Sequence, residues 1–190
     1  MGSQRIYTEE DCEIAGREIE LKGKVIVLRT GVLQKGPDHQ LAFCIGGGGA
    51  DANPKYRWLF LADLKDGEVM RCNREDVIGI LKPELLPEEE KLQLSQIRPI
   101  GAAPLKGNTP LYSGYSFLED GRYSAGVWLC SEEEVFDYVE MQSPYQHRVM
   151  VCDSDDFCVM EVVDGKRTFP DMEEIRRNQK QATCREMEFT

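Results

Sequence analysis

The residues whose types and spacing suggest chemistry fall in a few short stretches. Gly46-Gly47-Gly48-Gly49 follows an apolar run, as a phosphate-binding loop would. Such a loop needs a helix directly behind it, so that backbone amides and the positive end of the dipole meet the anion. Here Ala50-Asp51-Ala52-Asn53-Pro54 follows, with no Lys-Ser/Thr pair. The glycines read instead as a flexible hairpin connection, although whether they bind anything stays open. Asp153, Asp155 and Asp156 suggest a calcium loop, but Phe157, Cys158 and Asp164 stand where the EF-hand template needs other residues. They read as solvated turn residues. His147 and Cys152 are five apart on one strand candidate, which puts them on opposite faces and excludes an activated thiolate pair. Glu132, Glu133 and Glu134 open a helix, where capping and the dipole already account for them.

Seven cysteines (Cys12, Cys44, Cys72, Cys130, Cys152, Cys158 and Cys184) include no C-x-x-C spacing, and His39 and His147 lie far from any paired Cys. Free structural thiols in a reducing compartment are expected, and no zinc site. No catalytic residue, cofactor or metal is assigned.

The elements that would carry these residues alternate in hairpins. Residues 1–16 are polar and read as a loose arm or short helix. Strands are predicted around Ile19, Leu21 and 25–28, then over 40–45, 56–64 and 69–72, with Lys65-Asp66-Gly67-Glu68 as a hairpin turn. Asn73 with Asp76 predicts a helix over 74–81, stopped by Lys82-Pro83. Pro87 and Glu88 to Glu90 start a second helix that ends near Ile97. The stretch 98–110 holds three prolines and two glycines without periodicity, and reads as a linker. Beyond it come a hairpin over 111–130, a helix capped by Ser131 with Glu134 closing the box, strands over 147–152 and 157–163, and a polar tail helix from Pro170-Asp171. The fold class expected is α+β: two small domains with antiparallel hairpins packed against short helices. Residues 1–98 form the N-terminal α+β domain, 99–110 the linker, and 111–190 the C-terminal ββαββ domain with its tail helix.

Charge says where to look. The 190 residues carry 34 acids and 23 bases, a net −11. Between 119 and 174 there are fifteen acids against four bases, so the whole surplus sits in that segment. Phosphate-binding surfaces concentrate Lys and Arg, so direct binding to nucleic acid or an anionic membrane is not expected. No apolar run reaches 18 residues, and the start, Met1-Gly2-Ser3-Gln4-Arg5, leads into acids rather than an apolar stretch, so a cytoplasmic protein is expected. The acid clusters fall at turns and helix starts and should be exposed. They read either as a face that imitates phosphates toward a basic partner or as solubilising charge. The aromatics of the second hairpin split by parity: Tyr115, Phe117 and Tyr123 on one face, Tyr112 and Trp128 on the other, with one set buried and one available to a partner.

Two phrases resemble a known context. RCNREDVIGILKPELLPEEEKLQL (71–94) and SGYSFLEDGRYSAGVWLCSEEEVFDYVEMQSPYQHRVMVCDSDDFCVMEV (113–162) are similar to proteins of mobile elements in gut Firmicutes. These carry domains of unknown function, including large polyvalent protein-associated domains, on conjugative elements and prophages. The resemblance implies an inhibitor of host defence, of the anti-CRISPR or antirestriction type. It implies no catalytic residue.

The expectation is therefore a non-enzymatic acidic interaction protein that binds a basic nucleic-acid-handling protein such as a nuclease effector. Its contacts would be Glu132, Glu133, Asp137, Glu140, Asp153, Asp155 and Asp156. The first alternative is an accessory module that self-associates into a homo-oligomer through its aromatic hairpin, its acidity only solubilising. The second is a hydrolase or thiol enzyme.

Overall fold

A computed structural model describes residues 5–15, 19–37 and 39–170. Two antiparallel sheets and two short α-helices are its regular elements, which is compatible with a small α+β or mostly β class. In the first sheet β1 (Cys12–Ala15), β2 (Val25–Leu28), β3 (Leu41–Gly46), β4 (Trp58–Asp63), β5 (Val69–Asn73) and β6 (Val77–Leu81) lie in the order β1-β6-β2-β3-β4-β5. In the second, β7 (Tyr112–Phe117), β8 (Val127–Leu129), β9 (Arg148–Asp153), β10 (Cys158–Val163) and β11 (Lys166–Phe169) run β11-β10-β9-β7-β8. The helices are α1 (Glu88–Ser95) and α2 (Glu132–Gln142). Among the described residues no helix is long and apolar enough to cross a membrane.

Alternation explains the first sheet. Val25, Val27, Leu41 and Phe43 face one buried cluster, and Ile26, Leu28, Ala42 and Cys44 face another. A period of two places them so. The first cluster also takes Val135, Tyr138, Val149 and Val151 from the second half, so one body of buried apolar side chains draws on both sheets. Polar bonds run the same way: Val25 N donates to Tyr145 Oη (3.2 Å), and Tyr138 Oη donates to Ser95 O (3.1 Å). Residues 98–110 form no helix or strand.

Four elements differ from expectation. Ile19 and Leu21 lie in no strand; residues 19–24 are a bend and turn around Lys22-Gly23 that leads into β2. Residues 74–81 are not a helix. The Asn73 box does form, with Asn73 N donating to Asp76 Oδ2 (3.3 Å), but only a single 3-10 turn, Arg74–Asp76, follows it. The next residues, Val77-Ile78-Gly79-Ile80-Leu81, are mostly β-branched and include a glycine, so they propagate a helix poorly. As β6 they pair with β2 on one side and β1 on the other. Part of the supposed arm is ordered too: Thr8 leads into a 3-10 turn, Glu9–Asp11, and then β1, an edge strand. Lastly, β11 adds a third strand after the Asp164-Gly165 turn, so the second half reads ββαβββ. The tail helix expected beyond Pro170 lies outside the described residues, as does Cys184.

The glycine run is packed rather than flexible. Gly47 has φ +104°, and a Cβ there would stand 2.5 Å from Trp58 O, while one on Gly49 would stand 2.8 Å from Arg57 C. Buried Arg74 holds this loop by donating to the carbonyls of Gly49, Asp51 and Ile19. Glycine is needed at these positions because the neighbouring backbone approaches so closely.

Candidate acidic binding face

Helix α2 sorts its residues by face. Glu134, Val135, Tyr138, Val139, Met141 and Gln142 are buried, whereas Glu132, Glu133, Phe136, Asp137 and Glu140 are exposed. The exposed set recurs at helical three- and four-residue spacing, so four carboxylates and one phenylalanine form a single stripe. The helix starts where expected: Ser131 Oγ accepts from Glu134 N (3.2 Å).

Glu134 departs from the expectation that these acids all face water. It is 6% exposed. Instead of closing a capping box, its carboxylate accepts from Cys130 N (2.8 Å), Ala103 N (2.7 Å) and Arg98 Nη2 (2.9 Å). Arg98 also donates to Trp128 O and Ala103 O, so this ion pair pins the irregular 98–110 segment to the start of α2. Burial alone would raise the Glu134 carboxyl, but the two backbone donors and the guanidinium outweigh it and hold the pKa below its usual value. A depressed folded-state pKa contributes stability above the unfolded value and loses it as pH falls through the folded one. Glu134→Gln should therefore cost about 1–3 kcal/mol at neutral pH. The melting gap to wild type should narrow in acid; a gap independent of pH would contradict this role.

The remaining stripe is not ion-paired. Glu132, Glu133, Asp137 and Glu140 make no ion pair among the described residues. Many other acids are matched: Asp120 and Glu89 by Arg122, Asp66 and Glu68 by Lys35, Glu75 by Arg57, and Glu161 by Arg148. Bases do lie near the stripe: the Arg167 guanidinium is over the Phe136 ring at 5.9 Å, and Lys22 and Lys24 line the same cleft as Asp137 and Glu140. The second acidic group lies at the same end of the sheet as the start of α2, because Tyr112 pairs with both Leu129 and Asp153. Its members differ. Asp153 is half-buried and accepts from Asp155 N (2.9 Å) and Phe157 N (3.0 Å), so it shapes the turn. Asp155 and Asp156 are exposed.

Two other groupings bear on chemistry. Buried Asp63 accepts from Lys35 Nζ (3.2 Å) and Lys65 N (2.9 Å), and lies 2.7 Å from His39 Nδ1. With Asp66 these ligand atoms fall within 4.8 Å of one another, as a metal site would need. Lys35 Nζ sits among them, reaching Asp66 at 2.6 Å and Glu68 at 2.8 Å, and its ammonium supplies the positive charge there. Nothing in the spacing of Lys35, His39, Asp63 and Asp66 signals this grouping beforehand; antiparallel pairing and a loop bring it together. The six described cysteines are free thiols. Burial pushes Cys44 up to about 11 and Cys72 up to about 12, and raises Cys12, Cys152 and Cys158 too, the reverse of an activated nucleophile.

The aromatic hairpin divides differently from the parity reading. Register pairs Ser113 with Trp128 and Gly114 with Val127. Trp128 therefore shares the face of Tyr115 and Phe117, while Tyr112, Val127 and Leu129 turn toward α2 and the common core. Tyr123 and Trp128 are more than half exposed. A second exposed set, Trp58, Phe60 and Val69 with Arg71 stacked 4.2 Å from the Trp58 ring, lies on β4 and β5.

No family model, curated protein or solved structure matches this chain.

Proposed function

We propose that this is a non-enzymatic interaction protein of a mobile element. Its exposed α2 acids bind a basic nucleic-acid-handling protein, such as a nuclease effector of host defence, in place of that partner's nucleic acid. The observation that carries this reading is that Glu132, Glu133, Asp137 and Glu140 are exposed together on one face of α2. Fixed carboxylates on a rigid helix raise the encounter rate with a basic groove and set orientation, and they require no folding of either partner. Asp155 and Asp156 extend the contact, and Asp153 holds their turn. The reading is tested by reversing the stripe and following partner binding against salt, as set out in the Discussion.

A second reading rests on a separate observation. Tyr115, Phe117, Tyr123 and Trp128 share one face of the second sheet, and two of them are largely exposed, which suits self-association. Light scattering separates the two: a dimer that persists at high salt and dissociates on Trp128→Ala favours this face.

A further inference from the structure

The α2 stripe does not end on a flat surface. Asp137 and Glu140 form one wall of a cleft of about 720 Å³, and Glu13 and Glu20 of the first half stand on the other. Pro83, Pro144 and Tyr145 line this cleft and also a second hollow of about 580 Å³, which carries Glu84, Glu88, Glu119 and Asp164. The two are therefore consecutive stretches of one groove. Carboxylates outnumber bases in both: Lys22 and Lys24 line the first, Lys91 and His147 the second, with His147 Nδ1 2.7 Å from Asp164. Glu88 is paired with Arg122.

Two further observations point to a cationic occupant. Gln146 lines the second stretch and is 5% exposed, and its Oε1 is the one buried side-chain atom among the described residues with no hydrogen-bond partner. Its Nε2 is already used, donating to Lys91 O and Gln142 Oε1, so what is missing is a donor. The C-terminal end of α2 meets the groove at Met141, Ser143 and Pro144 and carries no basic residue in its last turn, so the negative end of its dipole adds to the attraction for a cation there. Ammonium and guanidinium groups are donors without acceptors, and their methylene stems lie well along proline and tyrosine surfaces.

We infer that this groove receives an extended Lys- or Arg-rich segment of the partner protein. Its stems run over Pro83, Pro144 and Tyr145, and its charges alternate between the carboxylate walls. The inference rests on the reading of α2 as a partner face and names the chemistry of what that face holds.

The probe is a fluorescein-labelled peptide of alternating lysine and alanine, long enough to span both hollows, followed by anisotropy at low salt. Glu13→Gln with Glu20→Gln, and separately Glu84→Gln with Glu119→Gln, should each weaken it by about fivefold or more. Glu9→Gln with Glu10→Gln, which removes as much charge outside the groove, should change it by less than about twofold. All six side chains are exposed, so thermal melts should be unaltered. Equal effects from all three pairs would mean non-specific attraction and overturn the inference. Spermine competing as strongly as unlabelled peptide would assign the groove to a small polyamine, and overturn it too. If α2 reversal abolishes partner binding while the groove pairs leave the peptide unaffected, the groove fails and the face stands. If the groove pairs weaken the peptide while α2 reversal spares partner binding, the face fails instead.

Discussion

Replacing Tyr138 with alanine is expected to lower the unfolding free energy by about 3–5 kcal/mol, a large part of what a domain of this size possesses. The side chain is fully buried. Its ring fills the space above Gly114, where an added Cβ would stand 2.6 Å from Tyr138 Cε1. Its hydroxyl lies 2.9 Å from Ser116 Oγ and donates to Ser95 O, so one residue of α2 ties the second sheet to the end of α1. Tyr138→Phe keeps the ring and should cost only about 1–2 kcal/mol for the orphaned polar groups. The sheets supply their own reporters, because Trp58 sits on β4 and Trp128 on β8. With each tryptophan retained singly, urea unfolding should give coincident transitions in wild type, and both should shift together in Tyr138→Ala. Separate transitions would instead support two folding units divided at 99–110.

The second large effect concerns binding. Reversing Asp137 and Glu140 to lysine, together with Glu132 and Glu133, should weaken association with the basic partner by about 100-fold at low salt, since each attraction becomes a repulsion. Wild-type affinity should itself fall as salt rises toward and beyond 0.15 M, where the screening length is about 8 Å. The fold should survive, because all four side chains point to solvent. Glu132 and Glu133 also favour the positive helix end, so reversal there carries a cost of about 0.3–1 kcal/mol each. The Asp137 and Glu140 pair alone is therefore the cleaner variant. Asp155→Lys with Asp156→Lys should have a smaller effect, and Asp153→Lys should act mainly by loosening the turn it bonds.

Much of the sheet architecture was legible in the residues. Short apolar runs rich in β-branched and aromatic residues mark β2, β3, β4, β9 and β10, and Asp-Gly turns stand at three hairpins. What local pattern missed was decided by partners distant in sequence. The Asn73 cap is real, yet β6 forms because β1 and β2 offer it two ladders. Glu134 looks like its exposed neighbours until Arg98, 36 residues earlier, is folded against it. Arg74 reads as an ordinary helix-start base and turns out to hold the glycine loop. The charge stripe was visible as composition, since helical spacing needs only the α2 sequence. The wall that faces it across the groove, Glu13 and Glu20, was not, because only the tertiary fold brings β1 and the 19–24 loop beside α2.

The central claim is that the exposed α2 carboxylates hold a basic, nucleic-acid-handling protein. Its most direct test immobilises wild type and the Asp137→Lys, Glu140→Lys variant side by side. Both are exposed to the same nuclease-treated lysate at low salt, and the retained proteins are identified by mass spectrometry and eluted with a salt gradient. The account predicts that wild type retains such a protein, releases it as salt rises, and that the variant does not retain it. The same proteins held equally by both columns would contradict it.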